Sequence, residues 1–112
     1  MRKQGKDMPS IVRGGWVCTP DGGYQQFLLH SDEGQAWLDD ATRFYFDCEP
    51  YQFTAKLEKR ANGFFWYAYR KDFANKLQSA YLGKTEVINM GRLSEVGAKL
   101  LAKCYLRMKA KF

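Results

Sequence analysis

Histidine is the scarcest reactive residue of this 112-residue chain, which holds only His30. A Ser-His-Asp or Cys-His constellation would have to use it as the base. His30 stands directly before Ser31-Asp32-Glu33, a helix-start pattern, and reads as a solvated residue at a strand end. Cysteine is sparse too. Cys18, Cys48 and Cys104 are odd in number, scattered and without C-x-x-C spacing, which indicates neither a disulfide framework nor a zinc site. There is no G-x-x-x-x-G-K-[ST], no G-x-G-x-x-G and no H-E-x-x-H. No apolar run approaches the ~18–20 residues of a membrane span. The basic stretch Met1–Asp7 has no apolar segment behind it, so no secretory signal is expected. These absences predict a soluble cytoplasmic protein that is not an enzyme and uses no cofactor, metal or small-molecule substrate.

What the chain does have is charge of uneven sign and many rings. Hydrophobic residues make up 46% and aromatics 16%, enough for a packed core. Residues 1–20 carry Arg2, Lys3, Lys6 and Arg13 against Asp7, whereas residues 21–50 carry seven carboxylates against Arg43. Residues 51–112 carry 13 Lys and Arg against Glu58, Asp72, Glu86 and Glu95. The later half is therefore far more basic than the net charge of +6 suggests. Such asymmetry points to a polyanionic partner, nucleic acid before a membrane surface. Solubility alone is the plainer explanation.

The expected fold class is α+β: a three-stranded antiparallel meander packed on a C-terminal helix, preceded by a β-hairpin and a short acidic helix. Residues 1–13 are polar and basic and predict a flexible arm; residues 14–112 predict a single domain, with hairpin and helix over 14–45 and sheet and helix over 46–112. Pro20-Asp21-Gly22-Gly23 between two apolar segments reads as the hairpin turn. Ser31 suits an N-cap, and Trp37, Ala41 and Phe44 or Tyr45 recur at helical spacing, predicting a helix that ends near Phe44. Tyr51, Phe53, Ala55 and Leu57 then alternate with polar residues, a half-buried strand. Asn62-Gly63 is a tight-turn signal. The aromatic run Phe64–Lys71 suits a central strand, and Lys76–Leu82, ended by Gly83, completes the meander. Asn89 is positioned to cap a long helix whose Leu93, Val96, Leu100, Leu101, Cys104 and Met108 form one apolar stripe.

One face of such a sheet is covered by the helix and the other is open. On the central strand both alternating sets are aromatic, so the pattern by itself leaves the buried set undecided. Assigning Tyr67, Tyr69, Ala80 and Leu82 to the helix side leaves Lys56, Arg60, Trp66, Arg70 and Tyr81 on the open face. Cations among flat rings suit nucleic acid, the cations neutralising phosphates and the rings covering sugars, thymine methyls or bases. Aromatics in a central strand are as readily core, and the acidic helix could cover part of the sheet.

Residues 51–100 also carry a resemblance. Phe53-Thr54-Ala55-Lys56, Gly63–Arg70, Ala80-Tyr81-Leu82-Gly83-Lys84 and Arg92–Val96, with Ala36-Trp37-Leu38 and Phe44 upstream, resemble a segment near the start of some large bacterial LuxR-type transcriptional regulators. The likeness spans roughly residues 30–103. In layout the meander and helix are similar to the arm-binding domain of tyrosine recombinases and the plant ethylene-response-factor domain. Both of those insert a sheet into the DNA major groove. The resemblance implies that Trp66, Arg70 and Tyr81 face DNA. The recombinase catalytic domain has no counterpart in this chain.

The expected function is a small DNA-binding accessory or regulatory factor of the bacterial nucleoid. Lys56, Arg60, Arg70 and Lys84 would contact phosphate or guanine, Trp66 and Tyr81 would supply apolar contact, and Lys99, Lys103 and Arg107 would widen the electrostatic footprint. The alternative is a protein-interaction module whose aromatic face docks a partner or a second copy. Membrane-surface binding by the basic C-terminal helix, and binding of RNA or single strands, rank below both.

Overall fold

Gly14 and Gly15 make the first turn, with φ of 58° and 85°. These positive values are what a two-residue hairpin connection needs and what glycine adopts at little cost. The turn joins β1 (Ile11–Arg13) to β2 (Trp16–Thr19), with Val12 opposite Val17. The computed structural model describes residues 10–20 and 25–110. Beyond this first hairpin come β3 (Gln25–Leu28), α1 (Asp32–Asp40), β4 (Arg43–Phe46), β5 (Phe53–Arg60), β6 (Gly63–Lys71) and β7 (Leu77–Gly83). A 3-10 turn at Thr85–Val87 leads into α2 (Met90–Ala110).

The fold is α+β, with one seven-stranded mixed sheet ordered β3-β2-β1-β4-β5-β6-β7 and two α-helices. Only the β1–β4 pair is parallel. Parallel neighbours need a long crossover, and the β2–β3 hairpin with α1 supplies it. The expected meander is present as β5-β6-β7, but it forms one end of a wider sheet. Two boundaries are corrected. Ile11–Arg13 lies inside the sheet, so no arm runs to residue 13; residues 1–9 lie outside the described residues, as does the core of the Pro20–Gly23 turn. The acidic helix stops at Asp40, with Ala41 already extended. Arg43-Phe44-Tyr45-Phe46 alternates with the sheet period, and pairing with β5 overrides the helical spacing of Trp37, Ala41 and Phe44.

Both helix starts follow local chemistry. The Ser31 hydroxyl accepts from the Gly34 amide at 3.0 Å, and Asp32 and Glu33 sit where the helix dipole favours negative charge. Asn89 Oδ1 accepts from the Arg92 amide at 2.8 Å and caps α2.

Both helices pack on the same side of the sheet. One core runs from Val12, Val17 and Leu38 through Phe44, Phe46 and Phe53 to Leu82, Leu93, Val96 and Leu100. Ala55, Ala68 and Ala80 face one another across β5, β6 and β7. This row of small side chains leaves space for the Leu93–Leu100 stripe. At Gly97 the helix comes so close that an added Cβ would stand 2.6 Å from the Tyr51 Cβ.

Trp66 is 0% exposed on this side, its ring 5.1 Å from Phe44 and its indole N–H donating to Thr85 Oγ1 at 2.9 Å. The face assignment of the central strand is thereby reversed. Trp66 and Ala68 are inward, and Tyr67 and Tyr69 are outward. The indole needs one partner and finds it in Thr85, whereas phenols beneath the helix would each need a buried partner of their own.

Two substitutions test this packing in denaturant unfolding. Trp66→Ala should cost about 3–5 kcal/mol by leaving a cavity in the middle of the core. Gly97→Ala should cost about 1–3 kcal/mol by forcing α2 off Tyr51.

Candidate nucleic-acid interface

With both helices on one side, the opposite face of the sheet is uncovered. Strand alternation assigns its residues. β5 contributes Thr54, Lys56, Glu58 and Arg60, β6 contributes Phe65, Tyr67, Tyr69 and Lys71, and β7 contributes Leu77, Ser79 and Tyr81. Further along lie Arg43 and Tyr45 on β4, Ile11 and Arg13 on β1, and Trp16 on β2. Among the described residues, this face carries the cations Arg13, Arg43, Lys56, Arg60 and Lys71 against the carboxylates of Asp47 and Glu58.

The rings and cations are interleaved. Tyr67 meets Tyr81 edge-on with centroids 5.5 Å apart, and Phe65 lies 6.2 Å from the same ring. The Arg60 guanidinium sits 4.4 Å from the Tyr67 centroid and the Lys56 ammonium 5.4 Å from that of Tyr69. Exposed contacts of this type contribute ~0.5–1 kcal/mol each and hold the long side chains over the sheet. Tyr81 remains 49% exposed. Glu58 is the one carboxylate on β5–β7 of this face. It pairs with Arg60 at 2.6 Å and accepts a hydrogen bond from the Tyr69 hydroxyl. That hydrogen bond, then burial, then the Glu58 charge, push the Tyr69 phenol above its ordinary value of 10.0.

The end of the sheet stands clear of its neighbours. Along β5, β4 reaches only Phe53–Lys56, and its last link to that strand is the Leu57 amide donating to the Thr42 carbonyl. Glu58–Arg60 and Gly63–Phe65 continue beyond it as a free hairpin about 10 Å long at ~3.4 Å per residue. Lys84, exposed and just past Gly83, falls at this same end, because Gly83 pairs with Trp66.

The structure therefore brings together Lys56, Arg60 and Tyr81 of the expected residues, with Lys84 beside them. Trp66 is corrected: it is sealed in the core and reaches no ligand. Arg70 is corrected as well. Its strand phase is the helix side, and at the strand end its guanidinium turns to the carbonyls of Pro50 (2.7 Å) and Gln52 (3.3 Å). Lys99 and Lys103 lie on α2, away from the open face. Lys99 pairs with Glu95 at 3.8 Å, and Lys103 donates to the Ser79 carbonyl on the outer edge of β7. Arg92 does the same for Leu82 (2.9 Å) and Tyr81 (3.2 Å). These cations cap an edge strand that would otherwise offer its carbonyls to another chain. The side chain of Arg107 lies outside the described residues. Arg43, Tyr67 and Tyr69 were missed. The signal for Tyr67 was Tyr81, because cross-strand partners share a face.

Burial pushes the Cys104 thiol up, so it stays protonated within the core. Among the described residues no cluster of three His, Cys, Asp or Glu side chains is placed to hold a metal ion. No described helix is long and apolar enough to cross a membrane.

The Tyr69–Glu58 contact has a titration signature. The raised phenol stabilises the fold below the ordinary tyrosine pKa, and that contribution is lost as pH climbs through the raised value. Ultraviolet titration should show a tyrosine component that ionises above 10.0. In Glu58→Ala this late component should shift down, and its persistence would show that Glu58 is not its cause. No protein-family model, curated protein or solved structure matches the chain, so the reading of this face rests on its own residues and geometry.

Proposed function

We propose that the protein binds duplex DNA through the uncovered face of β5-β6-β7, as an accessory or regulatory factor without catalytic activity. The observation that carries the reading is the interleaving of Lys56 and Arg60 with Tyr67, Tyr69 and Tyr81 on one helix-free surface. Three strands are ~10 Å wide at the usual strand spacing, and the major groove is ~12 Å wide. The full seven-stranded sheet is too broad to enter, but the hairpin beyond Leu57 extends past β4, and sheet twist turns the remaining strands away by ~20–25° each. In this arrangement Lys56, Arg60 and Lys84 neutralise phosphates or meet guanine edges. Tyr67 and Tyr81 cover sugars or thymine methyls, and Glu58 accepts from a cytosine amino group.

A second reading, a protein partner on the same face, is favoured by Trp16 and Leu28. They stand directly opposite each other and are 45% and 47% exposed. A dimer in light scattering together with no salt-dependent DNA affinity would select it.

Fluorescence titration of labelled duplex over a range of salt tests the proposal. With ~5 phosphates engaged, log K should fall against log salt with a slope of about −4 to −5. Arg60→Ala should weaken binding and bring the slope about one unit closer to zero. Tyr67→Ala should weaken binding with the slope kept. Lys99→Ala should change neither. Equal effects of Arg60→Ala and Lys99→Ala would refute the assignment of the face.

A further inference from the structure

Arg43 on β4 stands directly opposite Lys56 on β5. Like charges facing each other across a strand pair are destabilising, so this placement calls for something that offsets it. Among the described residues no carboxylate does so. The two other arginines of the face each have a carboxylate beside them at 2.6 Å, Asp47 for Arg13 and the strand neighbour Glu58 for Arg60. Among the described residues no carboxylate pairs with Arg43, Lys56 or Lys71. These three cations, with Arg70 reaching in from the strand end, line one depression of about 420 Å³ on the open face. Tyr45 and Thr54, opposite each other on the next rung, add hydroxyl donors to its wall, and the Tyr69 ring supports the Lys56 ammonium.

We propose that this depression is a phosphate-binding site, with Arg43 presenting its guanidinium fork to two phosphate oxygens while Lys56 and Lys71 supply point charges. Unpaired cations beside hydroxyls, with no acid among them, favour an oxyanion of delocalised charge. The inference rests on the DNA reading only for what carries the phosphate. On that reading the carrier is the DNA backbone: β4 lies two strand spacings, roughly 10 Å, from β6, and this suits a phosphate at the rim of a groove that β6 enters. The site then sets register and affinity without reading sequence. A free nucleotide offers the same chemistry.

The test has two arms, the first run on the wild-type chain, on Arg43→Gln and on Lys71→Gln, the second on the wild-type chain and on Lys71→Gln. In the first arm, duplexes of unrelated sequence are titrated at several salt concentrations. Each variant should lose affinity by a similar factor for every sequence and bring the salt slope closer to zero by about one. In the second, inorganic phosphate and a mononucleotide are titrated against ¹⁵N-labelled protein while the Arg43 side-chain Nε resonance is followed. A variant effect confined to duplex assigns the site to the DNA backbone. A saturable Arg43 shift with mononucleotide, in a chain that ignores duplex, upholds the phosphate site and refutes the DNA reading. Duplex binding that both variants leave unchanged, with Arg43 silent to phosphate and mononucleotide, overturns the site and leaves the DNA reading standing. Absence of any response to all three ligands overturns both.

Discussion

Trp66 decides which side of the sheet is available. Its ring is wedged between Phe44 and the chain that follows β7, and its single polar group is satisfied by Thr85. Once that residue is inward, strand alternation obliges Ala68 to follow it and Tyr67 and Tyr69 to point the other way. The alanine row across β5, β6 and β7 then gives α2 a surface on which to settle. The far face, from Arg43 to Tyr81, carries no helix because both helices have been drawn to the near one, and its residues are half-buried or exposed.

The basic residues of the later half therefore divide by task. Arg92 and Lys103 reach from α2 to the carbonyls of β7 and close an edge. Arg70 ties the end of β6 to the loop before β5. Lys56, Arg60 and Lys71 stand over the open sheet, joined by Arg43 from the acidic stretch of the chain. Net charge made a polyanionic partner the leading expectation, but it could not sort cations that serve the fold from those free to meet a ligand. That sorting depends on which strand edges lie within reach of α2.

Much of the fold could be read from local pattern. Ser31 and Asn89 cap the helices they precede, Asn62-Gly63 makes the tight turn, and the period-two stretch from Phe53 is β5. These signals are short-range and agree with their surroundings. The sheet beyond the meander was harder to see. β1 and β4 are three and four residues long, too short for periodicity to register, and Phe44 fits a helical stripe as well as a strand. The face of β6 is the reverse of the expected one because both of its alternating sets are aromatic, and Tyr67 and Tyr69 suit the space-filling role beneath a helix as well by pattern as Trp66 does. A long cation at a strand end can bend to nearby carbonyls without defining the face behind it. Lys56, Arg60 and Tyr81 were legible because polar alternation on β5 and the Leu82 neighbour of Tyr81 each fix a phase independently of β6.

The central claim is that nucleic acid meets the side of the sheet that the helices leave bare. Mapping backbone amide shifts as unlabelled duplex is added to ¹⁵N-labelled protein tests it most directly. The account predicts that the perturbed amides cluster on β5, β6 and β7 around Lys56, Arg60, Tyr67, Tyr69 and Tyr81, with Trp66 indole and the Leu93–Leu100 stripe quiet. Perturbations centred on the solvent side of α2 near Lys99, with those strands silent, would contradict it.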